Sequence, residues 1–280
     1  MGGLSKKSFL IKGLVADPKQ ASLIVDSGNL LFKTDTLASD NPETEKISAA
    51  GVIQATRAMG GTLAGVGTRD LAAGPSFLQQ HQGPPAFTWI SLNIVDPTTQ
   101  KPLFTPVLRR QAGEVKIVVL ALTDHTAFGT KPDTFQVLNW RDILPDALAK
   151  AQQDADFTLL LSNYSFEENK EIARSCDAID LILQSGHAVG NMTPILINKT
   201  LISQTETRGK YLGVMDIDWN GHGRWSEGSA SQQTSEKVRQ QSTYTNRFIA
   251  LKPSIPNEAE VEALLRKTQE MIDKQKGQSR

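Results

Sequence analysis

The sequence predicts an α/β protein whose first half contains a mostly parallel sheet. Strand-like runs alternate with helix-like segments through the first two thirds of the chain, an order typical of parallel strands joined by helices. After Asn191 the strand-like runs follow one another without helices between them, so we expect antiparallel pairing there. With 280 residues, 39% of them apolar, the chain has enough material for a substantial core.

The predicted strands are runs of apolar and β-branched residues. They cover residues 9–15, 22–26, 115–122, 157–161, 179–183, 195–203, 212–219 and 248–251. The predicted helices, which show apolar side chains at helical spacing, cover residues 43–59, 142–152 and 167–174, followed by a tail helix that Asn257 caps and Glu258 begins. A turn is expected at residues 96–102, and residues 220–241 are predicted to form a long, polar, mobile loop.

Composition excludes several classes of function. Thirty basic residues balance thirty acidic ones, which argues against a nucleic-acid partner. One cysteine, Cys176, excludes an intrachain disulfide framework, and no stretch reaches the roughly 18 apolar residues of a membrane span. The four histidines leave little material for a multi-histidine metal site: His81, His125, His187 and His222.

Generic catalytic motifs are missing. The segment that starts at Gly65-Val66-Gly67 begins like a dinucleotide fingerprint but has Asp70 where the third glycine is needed. No Gly-Lys-Ser/Thr follows a glycine-rich loop, and no Gly-x-Ser-x-Gly elbow occurs. Motifs of this kind therefore do not identify a function.

Four segments in chain order resemble one family. Residues 23–29 resemble a strand that ends in Asp-Ala-Gly-Asp, and residues 67–74 resemble Gly-Asn-His-Glu-Phe-Asp-x-Gly. Residues 160–165 resemble Leu-Ser-His-x-Gly, and residues 179–189 resemble Ile-Asp-x-Ile-x-Gly-Gly-His-x-His. These are motifs of the calcineurin-like metallophosphoesterases, in the branch that holds the catalytic domain of bacterial 5′-nucleotidases.

The resemblance implies a four-layer α/β/β/α sandwich, with two mixed sheets flanked by helices and a dinuclear metal site at the strand ends. The resemblance covers roughly residues 8–220, and we expect a phosphoesterase-like domain over residues 1–250. The apolar face of the C-terminal helix at 251–280 predicts that this helix packs on the domain, the alternative being a partner. The nucleotide-specificity domain of the family is expected to be absent. Members of this branch are usually exported, which favours an extracytoplasmic or periplasmic location if a leader was removed.

The family's metal-binding positions have changed in this chain. Asn29 stands where the family has its bridging aspartate, and Thr68 stands where it has an asparagine ligand. Arg69 replaces a histidine that assists the leaving group, and Asn163 replaces a histidine ligand. Of the final pair of histidines, His187 is retained and Val189 replaces the second. A neutral amide replaces the anionic bridge, and a guanidinium that stays protonated replaces an imidazole. We therefore expect no catalytic residues, no resident cofactor and no phosphoester hydrolysis.

The main hypothesis is a metal-free polar pocket that binds a small anionic or phosphorylated ligand. Its residues are Asn29, Thr68, Arg69, Asn163 and His187. The planar fork of arginine suits phosphate and carboxylate groups. Alternatively, Arg69 forms a salt bridge with Asp26 or Asp70 and only fills the vacated site.

Two further readings remain open. A working phosphohydrolase would need a rebuilt site for Mn²⁺, Zn²⁺ or Mg²⁺, whose candidate residues are Asp26, Asn29, Asp70, Asp124, His125 and His187. A scaffold would bind a protein partner through residues 256–280 or 220–241.

Overall fold

The computed structural model describes residues 3–17, 20–83, 86–128, 133–186, 190–221, 225–228 and 241–278. The helices of this part are α1 (Leu4–Leu14), α2 (Pro42–Met59), α3 (Pro75–His81), α4 (Trp140–Ala151), α5 (Phe166–Ser175) and α6 (Ala259–Gln278). The strands are β1 (Val25–Asp26), β2 (Thr62–Gly65), β3 (Phe87–Ile90), β4 (Ile94–Val95), β5 (Val107–Ala112), β6 (Val115–Leu122), β7 (Gln136–Val137), β8 (Phe157–Ser162), β9 (Leu181–Gln184), β10 (Met192–Ile197), β11 (Thr200–Gln204), β12 (Tyr211–Asp218), β13 (Trp225–Glu227) and β14 (Ser242–Ala250).

Two stacked sheets form the centre of the molecule. The first has the strand order β1-β2-β3, and all its described pairs are parallel. The second is mixed and has the order β10-β11-β9-β8-β6-β5, with β6, β8, β9 and β11 parallel to one another. Smaller sheets join β12, β14 and β13, and β4 with β7.

Three apolar layers hold the sheets and helices together. Successive residues of a strand point to opposite faces, so Leu63 of β2 packs between the two sheets whereas Ala64 packs under α2 and α3. On β6, Val119 faces the first sheet and Leu120 faces α4 and α5. The resulting order is helix, sheet, sheet, helix, so the predicted α/β/β/α sandwich is confirmed.

Most of the predicted elements are confirmed within a few residues, but residues 9–15 were predicted as a strand and form part of α1. The error has a simple cause. Three consecutive apolar residues suggested a strand, yet the buried positions are Ser5, Ser8 and Ile11, which recur every three residues as on a helix. Phe9, in the middle of that run, is 43% exposed. Small serines let α1 lie close to its neighbours, and Ile11 packs with Met59 and Leu212.

The predicted single strand at 195–203 is a hairpin of β10 and β11. Asn198 adopts a left-handed conformation (φ 52°) that reverses the chain between them. The predicted turn at 96–102 is confirmed: the Asp96 carboxylate accepts hydrogen bonds from the backbone N–H groups of Thr98 (3.0 Å) and Thr99 (2.7 Å). The chain also reverses across this turn as the predicted hairpin, since the Asp96 N–H donates to the Lys101 carbonyl at 2.9 Å and the Leu103 N–H to the Ile94 carbonyl at 3.0 Å. The flanking strands pair further with others, β4 with β7 and β5 with β6.

Antiparallel pairing late in the chain is confirmed for β10 with β11 and for β12 with β14, while β13 runs parallel to β14. The predicted mobile loop at 220–241 falls mostly outside the described residues; its described part includes β13. No helix in the described ranges is long and apolar enough to cross a membrane.

Helix α6 lies against α1 and α2. Val261, Thr268 and Ile272 form its buried face, and its closest approach to α2 is at Gly51. A Cβ atom at Gly51 would lie 2.4 Å from Thr268 Cγ2 and 2.9 Å from Thr268 Cβ. Glycine is therefore required at this crossing by the close approach of the two helices. The division into residues 1–250 and 251–280 stays a prediction.

Replacing Gly51 by alanine tests this crossing. Alanine favours a helix by about 1 kcal/mol over glycine, but overpacking against Thr268 costs about 1–3 kcal/mol. We expect Gly51→Ala to lower the free energy of unfolding, measured by urea denaturation. Gly13→Ala in α1, where nothing lies within 4 Å of the added atom, is the control and should not destabilise. Equal behaviour of the two variants would contradict the close helix crossing.

Candidate functional site

Four loops meet where parallel strands of both sheets end. They follow β1 (residues 27–31), β2 (66–70), β8 (163–165) and β9 (185–186). Thr123, just after β6, joins them, since its hydroxyl donates to the Val66 carbonyl at 2.6 Å. The carboxyl ends of parallel strands lie at one edge of a sheet, and here the edges of the two sheets are adjacent.

A buried carboxylate organises two of these loops. Asp70 is fully buried, and its oxygens accept hydrogen bonds from the peptide N–H groups of Asn29 (2.7 Å), Gly67 (2.9 Å) and Leu31 (2.9 Å). Burial raises the pKa of Asp70 to about 7. The hydrogen bonds from the peptide N–H groups act in the opposite direction, because they favour the charged carboxylate. The loop after β1 is thus fixed to the loop after β2.

Two asparagine side chains connect the loops further. Asn29 Oδ1 accepts the peptide N–H of Arg69 at 3.0 Å, and Asn163 Oδ1 accepts that of Thr68 at 2.9 Å. The Asn163 amide donates to Ser185 Oγ at 3.0 Å, and Ser185 Oγ donates to the Ser27 carbonyl at 2.7 Å. Both amide oxygens therefore point at backbone donors. We call Asn29, Asp70, Asn163 and Ser185 the loop-linking cluster.

Glycines allow the loops to touch. A Cβ atom on Gly67 would lie 2.4 Å from the Asn29 nitrogen, and one on Gly186 would lie 2.1 Å from the Asn163 carbonyl oxygen. Asn29 itself has a left-handed backbone (φ 61°), which asparagine tolerates. Protein atoms thus occupy the space between the loops around Asn29 and Asn163.

Arg69 is exposed at the surface of this cluster. It forms no salt bridge with any residue that the structure describes. Two aspartates were suggested as its partners. Asp26 lies 4.0 Å from Lys7 Nζ and accepts the Gly28 N–H at 3.0 Å. Asp70 accepts hydrogen bonds from three peptide N–H groups. In the described ranges the alternative salt bridge is therefore not formed.

The remaining sequence candidates make other contacts beside the four loops or lie outside the described residues. Asp124 caps the following turn by accepting the Thr126 N–H at 2.8 Å, and His125 Nδ1 lies 2.7 Å from the hydroxyl of buried Tyr164. Burial raises the pKa of Tyr164 further above its ordinary value. His187 and Val189 lie outside the described residues.

Sequence reasoning named Asn29, Thr68 and Asn163 as ligand positions but missed Ser185 and the organising role of Asp70. The Gly67-x-x-Asp70 spacing offered one local signal, because an aspartate side chain can accept a nearby backbone N–H in a turn. Nothing local predicts Ser185, whose partners come from the distant residues Asn163 and Ser27.

A dinuclear metal centre, which the resemblance implies, does not fit the described side chains. The described ranges contain no group of three or more His, Cys, Asp or Glu residues that could hold a metal ion. The amide oxygens of Asn29 and Asn163 accept peptide N–H groups, and a cationic Arg69 stands beside them. Carboxylates and imidazoles are the usual strong ligands of a metal pair, and Asn29, Thr68, Arg69 and Asn163 supply neither; their two amide oxygens, which could also bind a cation, already accept peptide N–H groups.

Comparison with solved structures decides the fold family. The sulfate thiohydrolase SoxB of Thermus thermophilus, in complex with glycerol, aligns with a TM-score of 0.75 at 20% identity, over 96% of this chain and 46% of that one. The fold is that of the calcineurin-like phosphoesterases. A 5′-nucleotidase precursor, also from Thermus thermophilus, aligns with a TM-score of 0.73 at 14% identity, over 97% of this chain and 54% of the other.

A third structure with the calcineurin-like fold, the phosphoesterase YfkN from Bacillus subtilis, has a TM-score of 0.68 at 15% identity, over 97% of this chain and 90% of the other. The chain spans about half the length of SoxB and of the 5′-nucleotidase precursor. No family model and no curated protein matches the sequence. The resemblance to this fold, including its 5′-nucleotidases, is confirmed, and at these identities the likeness shows the fold alone.

Replacing Asp70 by asparagine tests the organising carboxylate. Whichever way the amide is oriented, its NH₂ group faces a peptide N–H, and an unsatisfied buried group costs about 1–3 kcal/mol. The folded-state pKa of about 7 lies above the unfolded value of 3.8, so the wild-type free energy of unfolding should fall as the pH rises from about 4 to about 7. Asp70→Asn should be less stable than wild type and show a weaker fall.

Urea denaturation at pH 5 and pH 8 measures both effects. The matched control is Asp146→Asn, because Asp146 is exposed on α4 and should leave stability and its pH dependence unchanged. If Asp70→Asn had the same pH dependence of stability as the wild type, or the same free energy of unfolding at pH 5, the role given to Asp70 would be wrong.

Proposed function

We propose that this chain is a phosphoesterase-fold module that binds a ligand without hydrolysing phosphoesters. One observation supports this above all: the oxygens of Asn29 and Asn163, at positions that bind metal in the family it resembles, accept the peptide N–H groups of Arg69 and Thr68. The donors that a metal pair would need are engaged in holding the loops together.

Energetics favour the same conclusion. Turning both amides toward a cation would remove the partners of two peptide N–H groups: the exposed Arg69 N–H could bond to water, whereas the half-buried Thr68 N–H would lose about 1–3 kcal/mol. Asn163 is 3% exposed, so water could not readily replace it as the partner of Thr68. The permanent charge of Arg69 would also repel a cation. A metal site would therefore have to overcome an already satisfied arrangement.

The ligand that we propose is a small anionic or phosphorylated group bound at Arg69. Its guanidinium is exposed and has no salt bridge within the described ranges, and the half-buried Thr68 beside it adds a hydroxyl. Asn29 and Asn163 position these two residues by binding their peptide N–H groups. His187, the remaining residue of the predicted pocket, lies outside the described residues.

A hydrolysis assay tests the first half of the proposal. Purified protein is incubated with nucleoside 5′-monophosphates and with p-nitrophenyl phosphate, with Mn²⁺, Zn²⁺ or Mg²⁺ added in turn. We expect phosphate release at the level of the enzyme-free blank and a melting temperature unchanged by metal or chelator. Metal-dependent turnover that His187→Ala abolishes would establish instead the alternative, a phosphohydrolase with a rebuilt site.

Anion titration tests the second half. Phosphate and pyrophosphate are titrated by calorimetry into the wild type, Arg69→Ala and Arg266→Ala, the last being an exposed arginine of α6 that serves as the control. A hydrogen bond to a charged group contributes about 1.5–3 kcal/mol, so Arg69→Ala should weaken binding by about tenfold or more. Equal affinities for all three proteins would exclude Arg69 as the anion site.

Two finer points stay proposals. An extracytoplasmic location follows from the family resemblance, and one structure with the same fold is described as a precursor. A protein partner at 256–280 would have to use the outer face of α6, because Val261, Thr268 and Ile272 are buried. Binding through 220–241 concerns mostly residues outside the described ranges.

A further inference from the structure

A groove lies between α2, α3 and α6, and the loop-linking cluster contributes no residue to it. Its volume is about 510 Å³, within the range of roughly 300–1,000 Å³ that is usual for small-molecule sites. The close crossing of Gly51 and Thr268 brings α2 and α6 together, and both residues line the groove.

The surface of the groove is largely apolar. Ile47 and Ala50 of α2 line one side, Phe77 of α3 another and Met271 of α6 a third. Met271 is 50% exposed, and with Ile47, Ala50 and Phe77 it forms one continuous apolar lining, which is more informative than a single exposed side chain. A ligand with an apolar body would cover it.

Basic side chains surround this apolar surface. Lys46, His81 and Lys267 line the groove, against one acidic residue, Glu43, which pairs with Lys46 at 2.8 Å. Lys267 forms no salt bridge with the residues in the described ranges. His81 Nδ1 lies 2.8 Å from the Phe77 carbonyl and its ring lies 4.4 Å from that of Phe77, an arrangement that fixes the imidazole and leaves its other nitrogen unbonded within the same ranges.

We propose that this groove binds an amphipathic organic anion, such as an aromatic or medium-chain carboxylate. The apolar body lies along Phe77 and Met271, and the anionic group meets Lys267. The excess of basic over acidic lining residues selects an anion over a cation with the same apolar body. This site is independent of the function proposed for Arg69.

The probe for the experiment is 8-anilinonaphthalene-1-sulfonate, an aromatic anion that fluoresces when it leaves water. We expect saturable binding that dodecanoate displaces and that dodecyltrimethylammonium, below micelle-forming concentrations, does not. Lys267→Glu should weaken binding by about tenfold or more, whereas Lys274→Glu, the same charge change at an exposed position of α6, should leave it unchanged. Amide shifts in NMR spectra should change for residues of α2, α3 and α6.

A second variant protects the test against misfolding. Ala50→Phe fills the groove from α2 and should abolish probe binding while the circular dichroism spectrum stays that of the wild type. Equal binding by Lys267→Glu and Lys274→Glu, equal displacement by both surfactants, or NMR shifts elsewhere would overturn the proposal. Arg69→Ala should not affect the probe, so failure here is distinguishable from failure of the anion site at Arg69.

Discussion

The buried carboxylate of Asp70 is the constraint on which the loop-linking cluster depends. Removing a carboxylate from water is costly, and three peptide N–H groups replace only part of its hydration here, since burial still raises the pKa of Asp70 to about 7. These bonds fix the backbone at Asn29, Gly67 and Leu31. Once that backbone is fixed, the Asn29 side chain reaches the Arg69 N–H and the loop after β2 meets Asn163. The contacts between the loops at the strand ends therefore depend on the side chain of Asp70.

The loop-linking cluster lies on a fold shared with calcineurin-like phosphoesterases, and our proposal concerns the chemistry of the side chains at these strand ends. Neutral amides at Asn29 and Asn163 join loops through their oxygens and leave Arg69 as the exposed charge. Such a surface favours anions and disfavours divalent cations. The proposed role as a binding module rests on this exposed positive charge and on the two amides that hold its backbone.

Secondary structure was predicted correctly where the pattern of apolar residues fits one kind of element, and wrongly where the pattern fits both a strand and a helix. Helix α2 and strands β6 and β8 were predicted nearly to their ends, because α2 has apolar residues at helical spacing and the two strands are nearly continuous apolar runs, as in strands that are covered on both faces. Residues 9–15 combine an apolar run with the helical spacing of buried serines, and hydrophobicity alone gives serine no weight as a buried residue.

The sequence predicted which residues of the candidate site come together, but only some of the contacts that they make. Family motifs indicated that Asn29, Thr68 and Asn163 would come together, and the structure joins them. That both amides bond to peptide N–H groups depends on how closely the loops approach, which Gly67 and Gly186 permit. The groove could not be predicted either, because the position of α6 on α2 is a matter of tertiary packing.

The contact between the first and last helices has a consequence for how the molecule folds. Lys6 Nζ donates to the Ile255 carbonyl, 249 residues away along the chain, and the Glu258 N–H donates to the Ser5 carbonyl. During synthesis Ile255 is made 249 residues after Lys6, so this contact cannot form until the segment before α6 has been made. Contacts of such long sequence separation form slowly, so docking of α1 against the segment before α6 should be among the last events of folding.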